Sequence, residues 1–129
     1  MHSPEGKIPC TWTTPDRVPH RNMWLWDSVF HAIGHRHLDA KLAQDLILAL
    51  FDVQCNDGFI PHMARPDYIS AITQPPVIAW GAWHVYQTTG SKEFLRTVLE
   101  NNARFLKWCF KARKPAPEDL FVWHTDVND

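Results

Sequence analysis

A chain of 129 residues is long enough for one small domain with a single core. Its apolar fraction of 45%, with seven tryptophans and seven phenylalanines, excludes a disordered chain and points to a large core, an aromatic-lined cleft, or both. A net charge of −1 without a basic block argues against a nucleic-acid or anionic-membrane surface.

No run is long and apolar enough to span a bilayer, and Met1 to Lys7 lacks the apolar stretch of a signal peptide. Cys10, Cys55 and Cys109 are odd in number and widely spaced, which predicts buried thiols in a reducing compartment, the cytoplasm by default.

Residues 1–22 carry four prolines and no periodicity, and read as an extended arm with Trp12 placed to tuck it onto the body. Residues 23–129 form the rest of the domain. Val29, Phe30, Ile33 and Gly34 predict a first helix over Ser28 to Arg36. Asp39 is placed to cap a second, Ala40 to Gln54, with Leu42, Leu46, Ala49, Leu50 and Val53 as its stripe. Asn56-Asp57-Gly58 stops it, and residues 59–72 read as a long loop, a kind of segment that often carries function. Thr73-Gln74-Pro75-Pro76 opens a third helix that closes at Gly90. Ser91 caps a fourth, which runs to about Ala112 on a stripe of Phe94, Val98, Phe105 and Cys109. Pro115 and Pro117 then break the chain. No strand-like alternation persists, so the expected class is all-α, built of consecutive antiparallel helix pairs.

The densest polar and aromatic stretch is His20-Arg21-Asn22-Met23-Trp24-Leu25-Trp26-Asp27-Ser28. The ring faces of Trp24 and Trp26 suit the C–H face of a sugar, and Asp27 suits its hydroxyls. The plainer alternative makes Asp27 or Ser28 the N-cap of the first helix and the tryptophans core. Other polar residues near helix starts or in adjoining loops are Arg21, Asn56, Asp57, His62 and Gln74, with Phe59 and Trp80 close by in sequence. If the pairs stand in a ring, the first and third helices start at one end, and Arg21, Asp27 and Gln74 face one cleft. His31, His35 and His37 lack the glutamate and distant third ligand of a hydrolytic zinc helix, so they read as ordinary surface or core residues. There is no Gly-rich phosphate loop and no serine-hydrolase elbow. Neither a metal nor a cofactor is expected.

Trp24-Leu25-Trp26-Asp27-Ser28, Asn56-Asp57-Gly58-Phe59-Ile60-Pro61-His62 and Gln74-Pro75-Pro76-Val77-Ile78-Ala79-Trp80 resemble three successive motifs of the (α/α)6-barrel glycosidases. Glycoside hydrolase family 63 is the nearest group, with trehalases and glycogen-debranching glucosidases behind it. The resemblance spans about residues 18–126. It implies that Trp24, Trp26 and Asp27 bind the glycosyl residue, and that Asn56, Asp57 and Gln74 are cleft-loop residues. It also implies a third of a twelve-helix toroid, an oligosaccharide or disaccharide substrate with an α-glucosidic or α-mannosidic bond, and inverting hydrolysis in a complete enzyme. The family's later acid motif and its catalytic glutamate are not in the chain, which reads to Asp126-Val127-Asn128-Asp129. The expectation is therefore a substrate-binding part of a glycosidase, with no catalytic residue of its own and with exposed helix faces (Leu95, Leu99, Phe105 or Leu106) open to self-association. The rival is a small helical protein that binds a sugar, or oligomerises, without catalysis.

Overall fold

The structure, a computed structural model, describes residues 1–15, 21–114 and 116–123. His20 and the segment 126–129 lie outside these residues. The described chain is mostly helical: α1 (Leu25–His35), α2 (Ala40–Asp52), α3 (Ile78–Thr89) and α4 (Lys92–Ala112).

Helix α1 packs against α2 and α3, α3 against α4, and α2 bridges α3 and α4. The links between α1 and α2 and between α3 and α4 are short, which makes each pair an antiparallel hairpin. Every helix turns its apolar stripe inward: Val29 and Ala32, then Leu46, Ile47 and Leu50, then Ile78, Ala82 and Val85, then Phe94, Val98, Phe105 and Cys109. The N-terminal arm joins this core, since Ile8 and Trp12 are fully buried. A Cβ on Gly81 would stand 2.3 Å from Val29 Cγ1, so glycine there sets how closely α3 approaches α1.

Two of the predicted caps form. Asp39 Oδ1 accepts from the Leu42 amide at 2.9 Å, and Ser91 Oγ from the Phe94 amide at 3.2 Å. Gly90 closes α3 in the left-handed region, at φ 64°.

Three expectations are corrected. The first is that residues 59–72 are a plain loop. They hold β2 (Met63–Arg65) and β3 (Tyr68–Ile69), an antiparallel hairpin extended by β1 (Met23–Trp24) in the order β1-β2-β3. Strands of two and three residues are too short to show alternation. The second is that prolines open α3. Pro75 and Pro76 precede it, and Val77 is the N-cap. The third is that all three thiols are buried. Only Cys109 is, while Cys10 and Cys55 are partly exposed, and all three are free. Burial and the Asp52 carboxylate push the Cys10 thiol up to about 12, and burial pushes Cys109 up to about 11. Both therefore stay protonated and unreactive at neutral pH.

Candidate functional site

The first turn of α1 begins three residues earlier than its own sequence suggests, because distant groups cap it. A helix start leaves unpaired amides. Here the Leu25 amide donates to the His62 carbonyl at 2.9 Å, and the Trp26 amide donates to Gln74 Oε1 at 3.0 Å. The Trp26 indole N–H donates to the Pro75 carbonyl, also at 3.0 Å. Trp24 holds the N-cap position in an extended conformation and makes no side-chain cap. The N-cap role considered for Asp27 or Ser28 is thus overturned: both lie inside the helix.

The three sequence motifs meet at this point. Trp24 pairs with Met63 across β1 and β2, and its ring meets His62 edge-on at 5.2 Å. The His62 ring is held in turn, with Nδ1 at 2.6 Å from the hydroxyl of the buried Ser70. Asp27, in the first turn, sits at the positive end of the helix dipole. Among the described residues no donor is paired with its carboxylate. Trp24 Nε1 and Ser28 Oγ, four residues apart, are buried without a hydrogen-bond partner among the described residues. Trp12, Gln54, Asn102 and Arg113 carry such atoms elsewhere in the fold, so these two do not by themselves single out a site.

One turn further along, His31 Nδ1 lies 2.6 Å from Thr13 Oγ1 of the arm. Burial lowers the His31 pKa, and the nearby Asp27 charge pulls it the other way. Trp80, in the first turn of α3, is half exposed and meets the ring of Phe30 edge-on at 6.0 Å. Asp27 and Phe30 are three apart, so they share one face of α1, and Trp80 meets that face through the Phe30 ring.

The remaining predicted residues go elsewhere. Arg21 is exposed and pairs with Glu5 at 3.4 Å, so it is not brought to Asp27. Asn56 and Asp57 line a cavity of about 480 Å³ with Cys55, Phe59, Ala71 and Trp108, and neither Trp24, Trp26 nor Asp27 borders it. Sequence reasoning missed Trp108. Its signal is a large aromatic residue one position off the apolar stripe of an amphipathic helix. Among the described residues no cluster of three or more histidine, cysteine or acidic side chains is arranged to hold a metal, and none of the helices is long and apolar enough to cross a membrane.

Gln74 thus caps α1 from 48 residues away. Replacing it with alanine is expected to cost about 1 kcal/mol, the usual loss for a capping side chain. Thermal unfolding of Gln74→Ala measures this. An unchanged midpoint would mean that water satisfies the Trp26 amide equally well.

Comparison with known proteins gives a consistent family. The family model for the mannosylglycerate hydrolase MGH1-like glycoside hydrolase domain matches residues 20–129. A mannosylglycerate hydrolase of Thermus thermophilus is 30% identical, with 92% of this chain and 35% of that protein covered. Mannosylglycerate hydrolase MGH1 of Selaginella moellendorffii is 21% identical, over 92% of this chain and 30% of that one. Among solved structures, an uncharacterized conserved protein of Thermus thermophilus matches at a TM-score of 0.73 and 31% identity, covering 84% of this chain and 29% of that chain. The family 63 mannosylglycerate hydrolase of the same organism, in complex with glucose, matches at a TM-score of 0.72 and 29% identity, covering 84% and 31%. The chain thus spans about a third of the length of the curated relatives it matches.

Proposed function

Since the chain belongs to the mannosylglycerate hydrolase MGH1-like glycoside hydrolase family, we propose that it forms the sugar-binding wall of a glycosidase centre acting on α-mannosides or α-glucosides. The observation that carries this is the convergence of Trp24-Leu25-Trp26-Asp27, His62 and Gln74-Pro75 on the start of α1. The hydrogen bonds to Gln74 and Pro75 lock the Trp26 backbone and indole. Aromatic surface fixed in this way binds a sugar face without first losing rotamer freedom. Among the described residues the Asp27 carboxylate has no hydrogen-bond or ion-pair partner, which leaves it ready to accept sugar hydroxyls.

Inverting hydrolysis needs an acid and a base on opposite sides of the scissile bond, with room for a water between them. This site offers one carboxylate, suited to holding the glycosyl residue. The 129 residues alone are therefore expected to bind sugars weakly and turn none over. The test is incubation of the purified chain with mannosylglycerate, trehalose, an aryl α-glucoside and an α-gluco-oligosaccharide, alongside Asp27→Asn. Product in proportion to protein, and above that control, would overturn the reading.

The exposed surface favours self-association as well. Phe30, Trp80 and Trp83 are about half exposed on α1 and α3, and Leu99 and Phe110 are more so on α4. Phe105, expected to face water, is fully buried in the core instead. Its side chain falls on the inward stripe with Cys109. Sedimentation velocity over a concentration series should show a sedimentation coefficient that rises with concentration. A concentration-independent monomer would count against association through these faces.

A further inference from the structure

The N-terminal arm touches α1 beside the sugar-binding wall, through a contact which that wall does not need. Trp12 is fully buried, and the arm around it is tied down. The Cys10 amide donates to Asp52 Oδ2 of α2 at 3.0 Å. His2 and Trp12 exchange backbone hydrogen bonds of 2.8 and 3.2 Å, and the His2 ring stacks on the indole at 5.1 Å and 21°. Thr13 comes next in the chain. It is buried, and its hydroxyl lies 2.6 Å from His31 Nδ1.

His31 stands four residues after Asp27 on α1, so the two share one face of the helix. Helical side chains lean toward the N-terminus, which lays the His31 ring over the turn that holds Asp27. The hydrogen bond made by one ring nitrogen sets which nitrogen carries the proton. The Thr13 hydroxyl can donate to Nδ1 only while the imidazole is neutral, and the ring proton then sits on Nε2. The charged and titratable groups that face His31 are Asp27 and His35 of α1 and the amino group of Met1 in the arm. Among the described residues, α2 and α3, both packed on α1, add none to these. Burial is the largest influence, and it lowers the His31 pKa from the ordinary value of 6.5. The folded chain thus favours the neutral ring at neutral pH, and protonation sets in only as the pH falls below that value.

We propose that His31 is a positioning residue for the sugar-binding carboxylate, set in place by the arm through Thr13. Neutral His31, with its proton on Nε2, leaves the Asp27 charge to the sugar. An imidazolium in the same place pairs with Asp27 across one helical turn and competes with the sugar hydroxyls for it. Acid then weakens sugar binding through His31. Because His31 acts through Asp27, this role rests on the α1 reading.

The experiment follows the ¹³C,¹⁵N-labelled chain by NMR from about pH 8 to about pH 5, a range that spans histidine titration. The probe is methyl α-mannoside, which carries no ionisable group. Histidine ¹⁵N–¹H correlations should show His31 as the Nε2–H tautomer. Thr13→Val keeps the shape and removes the hydroxyl, and should give a mixture of tautomers. Thr13→Ser should restore the single one. The Asp27 carboxyl ¹³C signal should move as His31 titrates. Affinity, read from the Trp26 indole N–H and the Asp27 amide, should fall about twofold to fivefold with acid, the effect of one exposed ion pair. His31→Gln keeps a donor and cannot take up charge, and should remove that fall. An Nδ1–H tautomer in the unsubstituted chain, an affinity constant with pH, or a fall that persists in His31→Gln would overturn this role and leave the α1 reading intact. Methyl α-mannoside that moves none of Trp24, Trp26 and Asp27 at any pH would overturn the α1 reading itself, and this role with it.

Discussion

Gly58→Ala is expected to destabilise the protein by roughly 3 kcal/mol or more, a large loss for the addition of one methyl group. Gly58 adopts φ 101°, a conformation that side-chain-bearing residues rarely take. A Cβ there would stand 2.4 Å from the Arg104 carbonyl oxygen and 2.9 Å from its carbonyl carbon. Both atoms belong to the backbone of α4, which cannot step aside as a side-chain tip would. Backbone strain of about 1–3 kcal/mol and overpacking of about 1–3 kcal/mol act together. Against a typical total stability of about 5–15 kcal/mol, that is a large fraction. The same turn carries the Gly58 carbonyl that Gln54 Nε2 binds at 3.0 Å, and Gln54 also reaches the Asn101 carbonyl of α4. Moving it would unseat the Asn56–Asp57 loop along with the fold. Gly34→Ala is the control: the site is helical and exposed, and nothing lies within 4 Å of the added atom. That change should raise stability by about 0.5–1 kcal/mol. Urea unfolding of both variants decides. A loss below about 1 kcal/mol at Gly58 would mean that α4 yields more easily than a packed helix should.

How much of this was legible in the sequence depended on the range of the interactions. α2 and α4 could be read because their stripes and caps are local: Asp39 reaches Leu42, and Ser91 reaches Phe94, three residues on. The start of α1 could not be placed, because the groups that satisfy it come from His62 and Gln74. Without them, Asp27 and Ser28 look like the natural caps. The β1-β2-β3 sheet was hidden for the same reason, since its pairing joins residue 23 to residue 64. The three motifs could be found as strings, but only the fold shows that His62 of the second and Gln74-Pro75 of the third converge on the start of α1, while Asn56 and Asp57 of the second turn to a different cavity. Arg21 shows the opposite failure. Its nearness to Asp27 in sequence suggested a shared cleft, yet the chain turns it toward Glu5.

Asp27→Asn, made in an active hydrolase that contains this segment, is expected to lower kcat/KM far more than it lowers stability. As a member of the first helical turn, Asp27 contributes to folding through the dipole, about 0.3–1 kcal/mol at low salt. It is not the N-cap, and among the described residues no donor depends on its carboxylate, so asparagine leaves the hydrogen bonds that position α1 untouched. The carboxylate's proposed task is to accept sugar hydroxyls. Hydrogen bonds to a charged group are worth about 1.5–3 kcal/mol, which corresponds to a loss of about tenfold to 150-fold. If the bond tightens as charge develops on the sugar, the loss falls on kcat. If it holds the ground state equally, the loss falls on KM. His31 supplies an internal check, because the Asp27 charge pulls its pKa upward against burial. Removing that charge should lower the His31 titration midpoint in NMR, whatever happens to catalysis. A variant with an altered His31 midpoint but unchanged kcat/KM would show that Asp27 tunes its neighbour and the helix, and that it does not hold the sugar.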